Sequence, residues 1–163
     1  MTTLDNQDVY IDYDIPLERQ IAFLRGRLVS FQLDVFEVLN KELGNQGVEI
    51  FRAILRHGYE RVGGMVEGVS FKDLAEFALV EEHMSGLQSE IESIDENEFK
   101  WSVSKCPIWQ GCQQRGMDNT FCDVLEETII EENSKILGEF REPERMCHGD
   151  SKCTFVLKNS YGK

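Results

Sequence analysis

No stretch of this 163-residue chain approaches the roughly 18 consecutive apolar residues that a membrane-crossing helix needs, so no transmembrane segment is expected. The amino terminus, Met1-Thr2-Thr3-Leu4-Asp5, does not set a basic region ahead of an apolar one, and a signal peptide is not expected either. A cytoplasmic location follows as the expectation. Phosphate-binding glycine loops of the GxGxxG and GxxxxGK types, a GxSxG elbow and an HExxH helix are missing, which leaves those reaction classes without support. Positive charge is scarce: 17 Lys and Arg against 30 Asp and Glu give a formal net charge of −13. Neutralising a phosphate backbone takes cations, so nucleic acid is not an expected partner. The shortage is uneven. Residues 15–61 are near balance, whereas Glu81 to Glu98 holds no Lys or Arg and reads as a solvated acidic face.

What is present is the periodicity of one globular domain. Hydrophobic residues make up 41% and charged residues 29%, and a chain of this length buries a core without needing a metal or a disulfide. Residues 1–13 are polar and aperiodic and are expected to form a disordered tail, leaving 14–163 as a single domain. After Pro16, the residues Leu17, Ile21, Leu24, Leu28, Phe31, Val35 and Leu39 step by threes and fours as one apolar helical stripe, closed by Gly44. Val48, Phe51, Leu55, Gly58 and Val62 repeat the period up to Gly63-Gly64. Ser70 and Asp73 form a capping pair for a third helix, which Gly86 ends.

The period then changes to two. Phe99, Trp101 and Val103 alternate with polar residues as a strand, paired with an earlier one near 90–94. A short helix opens at Cys106-Pro107, and a longer one, capped by Asp118 or Asn119, turns Phe121, Leu125, Ile129 and Ile136 inward as far as Gly138. Strands over about 140–147 and 153–158 complete a second hairpin, the first of them irregular or at an edge because Pro143 cannot donate. The predicted fold is α+β: N-terminal helices packed on an antiparallel sheet of two hairpins, with two helices between the hairpins.

All five cysteines stand beyond residue 105. Cys106 occupies an N-cap position, where the helix end favours thiolate and suits a ligand or a nucleophile. Cys147 and Cys153 would face each other across the hairpin, within reach of a disulfide or of one metal. Zinc takes four ligands, and Cys122 with either Cys106 or Glu144 would complete the set, with zinc or iron as the cofactor considered. Cys112 reads as core packing and His83 as surface. Asp123 and Glu126 share the helix of Cys122, and His148 lies in the turn between Cys147 and Cys153, so Asp123, His148 and Cys106 are the catalytic candidates. His57, Phe51, Trp101 and Trp109, with Phe77, supply material for a ligand pocket that core packing also explains.

Cys106-Pro107-Ile108-Trp109, Phe121-Cys122-Asp123 and Gly149-Asp150-Ser151-Lys152-Cys153-Thr154-Phe155 together resemble the closing pattern of the L-2-amino-thiazoline-4-carboxylate hydrolase family, over about residues 88–158. The same hairpin is similar to the 4-vinyl reductase domain, a small-molecule-binding module in which cysteines and a glutamate hold zinc. That likeness implies Cys122, Glu144, Cys147 and Cys153 as ligands. Two expectations follow: a hydrolase opening a small cyclic thiazoline or amidine, or a binding or sensor module with a structural zinc. A third is an interaction protein using its acidic face. A small molecule is the expected partner, and a homodimer is allowed.

Overall fold

The computed structural model describes residues 15–63 and 70–159. The expected tail over 1–13 and Gly64 lie outside the described residues, as do the side chains of Val62 and Ile136. Helix α1 (Leu17–Leu43) ends at Gly44, whose amide donates to the Asn40 carbonyl. Helix α2 (Asn45–Gly63) returns at once, so closely that a Cβ on Gly47 would run into the Leu39 carbonyl. Helix α3 (Phe71–Ser85) starts on Ser70, whose hydroxyl accepts from the Asp73 amide, and stops on Gly86 at φ 87°. Both of those signals are readable in the sequence.

Strands β1 (Gln88–Ile94) and β2 (Glu98–Lys105) form the first hairpin, helices α4 (Pro107–Arg115) and α5 (Thr120–Leu137) follow, and β3 (Gly138–Glu144) with β4 (Cys153–Asn159) closes the fold. The sheet is antiparallel in the order β1-β2-β4-β3, so the hairpins join through their inner strands. The architecture is α+β, as the change of period predicts.

Pro143 leaves its mark on β3, an edge strand whose register slips between Arg141 and Glu144. The strand is shorter than expected and ends before Cys147, which falls in a 3-10 turn over Met146–His148. Cys147 and Cys153 are therefore not cross-strand neighbours. Cys153 pairs with Val103 of β2, and its sulfur accepts from the Met146 amide at 3.4 Å.

Two apolar clusters hold the layers. Leu33, Phe36, Phe51 and Phe121 fill the space among α1, α2 and α5, with Phe36 edge-on to both other rings at 5.2 and 5.1 Å. Phe99, Trp101, Phe140 and Phe155 stack on the inner face of the sheet beneath α3 and α5. Helix α1 departs from expectation. Its buried residues are Leu33 and Phe36, whereas Leu17, Leu24, Leu28 and Phe31 of the apolar stripe are exposed.

Candidate functional site

A cavity of about 300 Å³ lies between α3, α5 and the inner face of the sheet. Trp101 and Phe155 come from the sheet, Leu74 and Phe77 from α3, and Leu125 and Ile129 from α5. These positions follow from period: alternate strand residues face inward, and one helical stripe meets them. No Lys, Arg or His stands among the described residues of the wall. The polar groups it carries are acids, hydroxyls, amides and thiols, with Glu82, Glu126, Tyr59 and Cys106 the chief ones.

Each of these is set by its surroundings. Trp101 Nε1 donates to Glu82 Oε1 at 2.7 Å, and the Ser89 hydroxyl donates to the other oxygen. Burial nonetheless raises the Glu82 pKa, the two hydrogen bonds recovering part of the shift. The acidic run from Glu81 is thus not wholly a solvated face: Glu82 turns inward, and Glu92 lies between Lys100 and Lys152. Glu126, one turn beyond Cys122 on α5, has a buried Oε2 with no hydrogen-bond partner. Burial first, then the negative charge of Glu142, pushes its pKa up to about 8. Tyr59 is raised by burial and by the field of Glu81 and Glu126.

Glu142 sits behind this wall, its side chain fully buried and both oxygens without an aligned hydrogen bond. Arg145 Nε lies 2.8 Å from Oε2 as an ion pair. Burial raises Glu142 to about 7, and Arg145 and the Cys153 thiol hold the rise in check. Strand alternation places Glu142 on the inner face with Phe140, and the slip at Pro143 keeps Glu144 from following them. Arg141 and Glu144 instead share the outer face, paired with Val156 and Thr154. Glu144, the expected ligand, is exposed and receives the Thr154 hydroxyl.

The thiols gather less tightly than expected. Cys106 caps α4, its sulfur accepting from the Trp109 amide at 3.4 Å, but burial outweighs the helix end and raises its pKa to about 11. Burial thus works against the thiolate expected at this N-cap, while the Trp109 amide favours it. Cys122 donates to Cys112, which lowers Cys112 and raises Cys122, and burial raises Cys153. Cys112 is fully buried among core residues, while Cys147 packs against the edge of that cluster.

The remaining candidates lie apart from the cavity. His148 Nε2 is 2.5 Å from Asp123 Oδ1, with Arg145 Nη1 at 3.6 Å from the same oxygen. Asp123, Cys147 and His148 offer a carboxylate oxygen, a sulfur and an imidazole nitrogen within 4.8 Å of one another, and among the described residues they are the group that does so. The expected set Cys122, Glu144, Cys147 and Cys153 does not meet this condition. Of the expected pocket residues, Trp101 and Phe77 line the cavity. Phe51 is packed in the helical core, Trp109 against its edge, and His57 is exposed on α2.

Sequence reasoning missed Glu82 and Glu142. Glu126 was findable from its i+4 spacing to Cys122; Glu142 was hidden by the bulge. Neither family models nor curated proteins give a match to this chain.

Proposed function

We propose that the cavity binds a small cyclic isothiourea, an amidine-type ring containing sulfur, and opens it by hydrolysis, with Glu126 as the working carboxyl. The observation that carries this reading is Glu126 Oε2, buried and without a partner on the wall of an apolar cavity. A carboxyl in that setting rests protonated, and an amidine is basic enough to take its proton. The resulting amidinium and carboxylate form a charge-assisted, two-pronged pair where water is scarce. Water then adds to the carbon between the two nitrogens, giving up a proton to Glu126. Collapse of the new hydroxyl to a carbonyl breaks the bond from that carbon to the ring sulfur, Glu126 giving its proton to the departing sulfur and taking up the hydroxyl proton, so that a thiol and a urea-type group remain in one opened product.

The absence of Lys, Arg and His among the described wall residues narrows the substrate. A free ring carboxylate would meet Glu81, Glu82 and Glu126 with no cation to answer it, so the favoured ligand is a neutral or cationic ring. This departs from the acid substrate implied by the family resemblance while keeping its ring chemistry. Incubation with 2-amino-2-thiazoline should release a small thiol, measured in the ultrafiltrate free of protein. Glu126→Gln should lower the rate at least 100-fold. A rate unchanged in Glu126→Gln refutes the assignment.

A second reading has its own observation, the Asp123, Cys147 and His148 group. This donor set suits zinc, which accepts carboxylate, thiolate and imidazole, and three protein ligands leave a coordination position open. A metal there would tie the start of α5 to the 146–148 turn, with a polarised water as the chemistry it supplies. Ligand binding without turnover, together with one equivalent of zinc, would make the protein a binding module.

A further inference from the structure

Helix α1 carries two apolar faces. Val29, Leu33 and Phe36 look into the fold and against α4, where a Cβ on Gly111 would come within 2.7 Å of Leu33 Cδ1. Roughly 130° round the helix, at ~100° per residue, runs a second series: Leu17, Ile21, Leu24, Leu28, Phe31, Val35 and Val38. Its spacing is four, three, four, three, four, three without a break. That is the seam of a coiled coil, whose mean step of 3.5 residues keeps one line facing a partner helix. Among the described residues most of the seam is open, with Leu17 68% exposed, Leu24 65%, Phe31 65% and Val38 60%, while Val35 is half-buried against the core of its own chain.

We propose that this seam is the interface of a homodimer in which α1 packs antiparallel on α1 of a second copy. Charge decides the direction. The residues flanking the seam are Gln20, Arg27, Asp34 and Lys41 on one side and Glu18, Arg25, Gln32 and Leu39 on the other. In a parallel pair, Arg27 meets Gln32 and Gln20 meets Arg25, with no opposite charges. In an antiparallel pair centred between Leu28 and Phe31, Leu28 layers on Phe31 of the second copy, Leu24 on Val35 and Ile21 on Val38. Arg27 then stands beside Asp34 of the second copy, and the two-fold axis makes that pair twice. Asp34 already meets Arg115 at 2.6 Å on its own chain, yet its side chain remains 62% exposed and open to a second cation.

The area is of the right size. The exposed seam residues offer roughly 600 Å² before the flanking stems are counted, against roughly 800 Å² per partner in a standard interface. An apolar patch of that extent on one chain marks an interaction surface. One flank of the seam borders the body, where Arg25 donates to the His83 and Met84 carbonyls and Leu39 packs on the core, whereas Arg27 and Asp34 on the other flank are exposed.

Sedimentation equilibrium of the full chain at tens of micromolar should give twice the chain mass. The double variant Leu24→Glu, Leu28→Glu should be a monomer with an unchanged far-ultraviolet spectrum, since both residues are exposed in the single chain. Arg27→Glu, which replaces the attraction to Asp34 of the second copy by repulsion between two acids, should raise the dimer Kd at least ten-fold. Mixed Leu28→Cys and Phe31→Cys chains should cross-link to each other on mild oxidation, and neither variant alone should do so. A monomeric wild type overturns the proposal, including one that instead sediments with anionic vesicles. So does a double variant that stays dimeric, or cross-linking of Leu28→Cys with itself.

Discussion

Trp101 on β2 donates its indole N–H to Glu82 on α3, tying helix to sheet across one end of the cavity. A buried carboxyl that loses a donor keeps its full desolvation penalty. Trp101→Phe should therefore cost about 1–3 kcal/mol beyond the small change in ring packing. The check is urea unfolding of the variant against wild type. In a Trp109→Phe background, the emission of Trp101 should also respond to an amidine ligand. A loss of stability under 0.5 kcal/mol, on the order of an ordinary surface change, would show that the pair contributes nothing.

Glu126 and Glu142 give the fold a pH dependence of definite sign. Both carboxyls are raised above the ordinary value of 4.5, to about 8 and about 7. Between those limits the folded chain holds protons that the unfolded chain has released. Their contribution is fully present below the unfolded pKa and is lost as pH rises through about 7 and then about 8. Stability should thus fall from pH 5 to pH 8, by at most about 1.4 kcal/mol per pH unit for each group. Glu126→Gln should flatten its share of the slope and be more stable than wild type at pH 8, with equal stability at pH 5. Chemical unfolding at four pH values decides it; a profile that rises across this range contradicts the assignment.

These two residues also show how far the sequence could be read. The helices, the change of period at Phe99, the cap at Ser70 and the trouble at Pro143 were all local signals, and the structure has each of them. The acids were harder because their placement depends on parity and on what lies above them. One bulge turned Glu144 off the inner face and left Glu142 there. Glu82 sits among exposed acids and differs from them only in facing Trp101 and Ser89 across a turn of chain. For α1, an unbroken stripe of apolar residues was legible, but which of its two faces meets the core depends on where α2 and α4 lie.

The donor group at the start of α5 predicts a particular pattern of metal loss. Equilibrium dialysis against zinc, with the protein reduced, should leave about one equivalent bound, the count expected of a single site. Cys147→Ser and His148→Ala should each abolish it, whereas Glu144→Gln should retain it, since Glu144 faces Thr154 on the other side of the sheet. Loss of zinc in Glu144→Gln with retention in His148→Ala would restore the ligand set expected from the sequence.

Two glycines on helix contacts separate a hard wall from a soft one. A Cβ at Gly47 would meet the backbone carbonyl of Leu39, which cannot move without opening the α1–α2 corner. A Cβ at Gly111 would meet the tip of the Leu33 side chain at 2.7 Å, and a methyl can shift by changing rotamer. Overpacking costs about 1–3 kcal/mol, more where backbone must give. Gly47→Ala should therefore be the more damaging, at or above about 3 kcal/mol, and Gly111→Ala should stay near the lower end of that range. Helix propensity alone would make both substitutions stabilising. Thermal unfolding of the two variants in parallel distinguishes these outcomes. A Gly47→Ala chain as stable as wild type would mean that the corner between α1 and α2 is wider than the Leu39 contact allows.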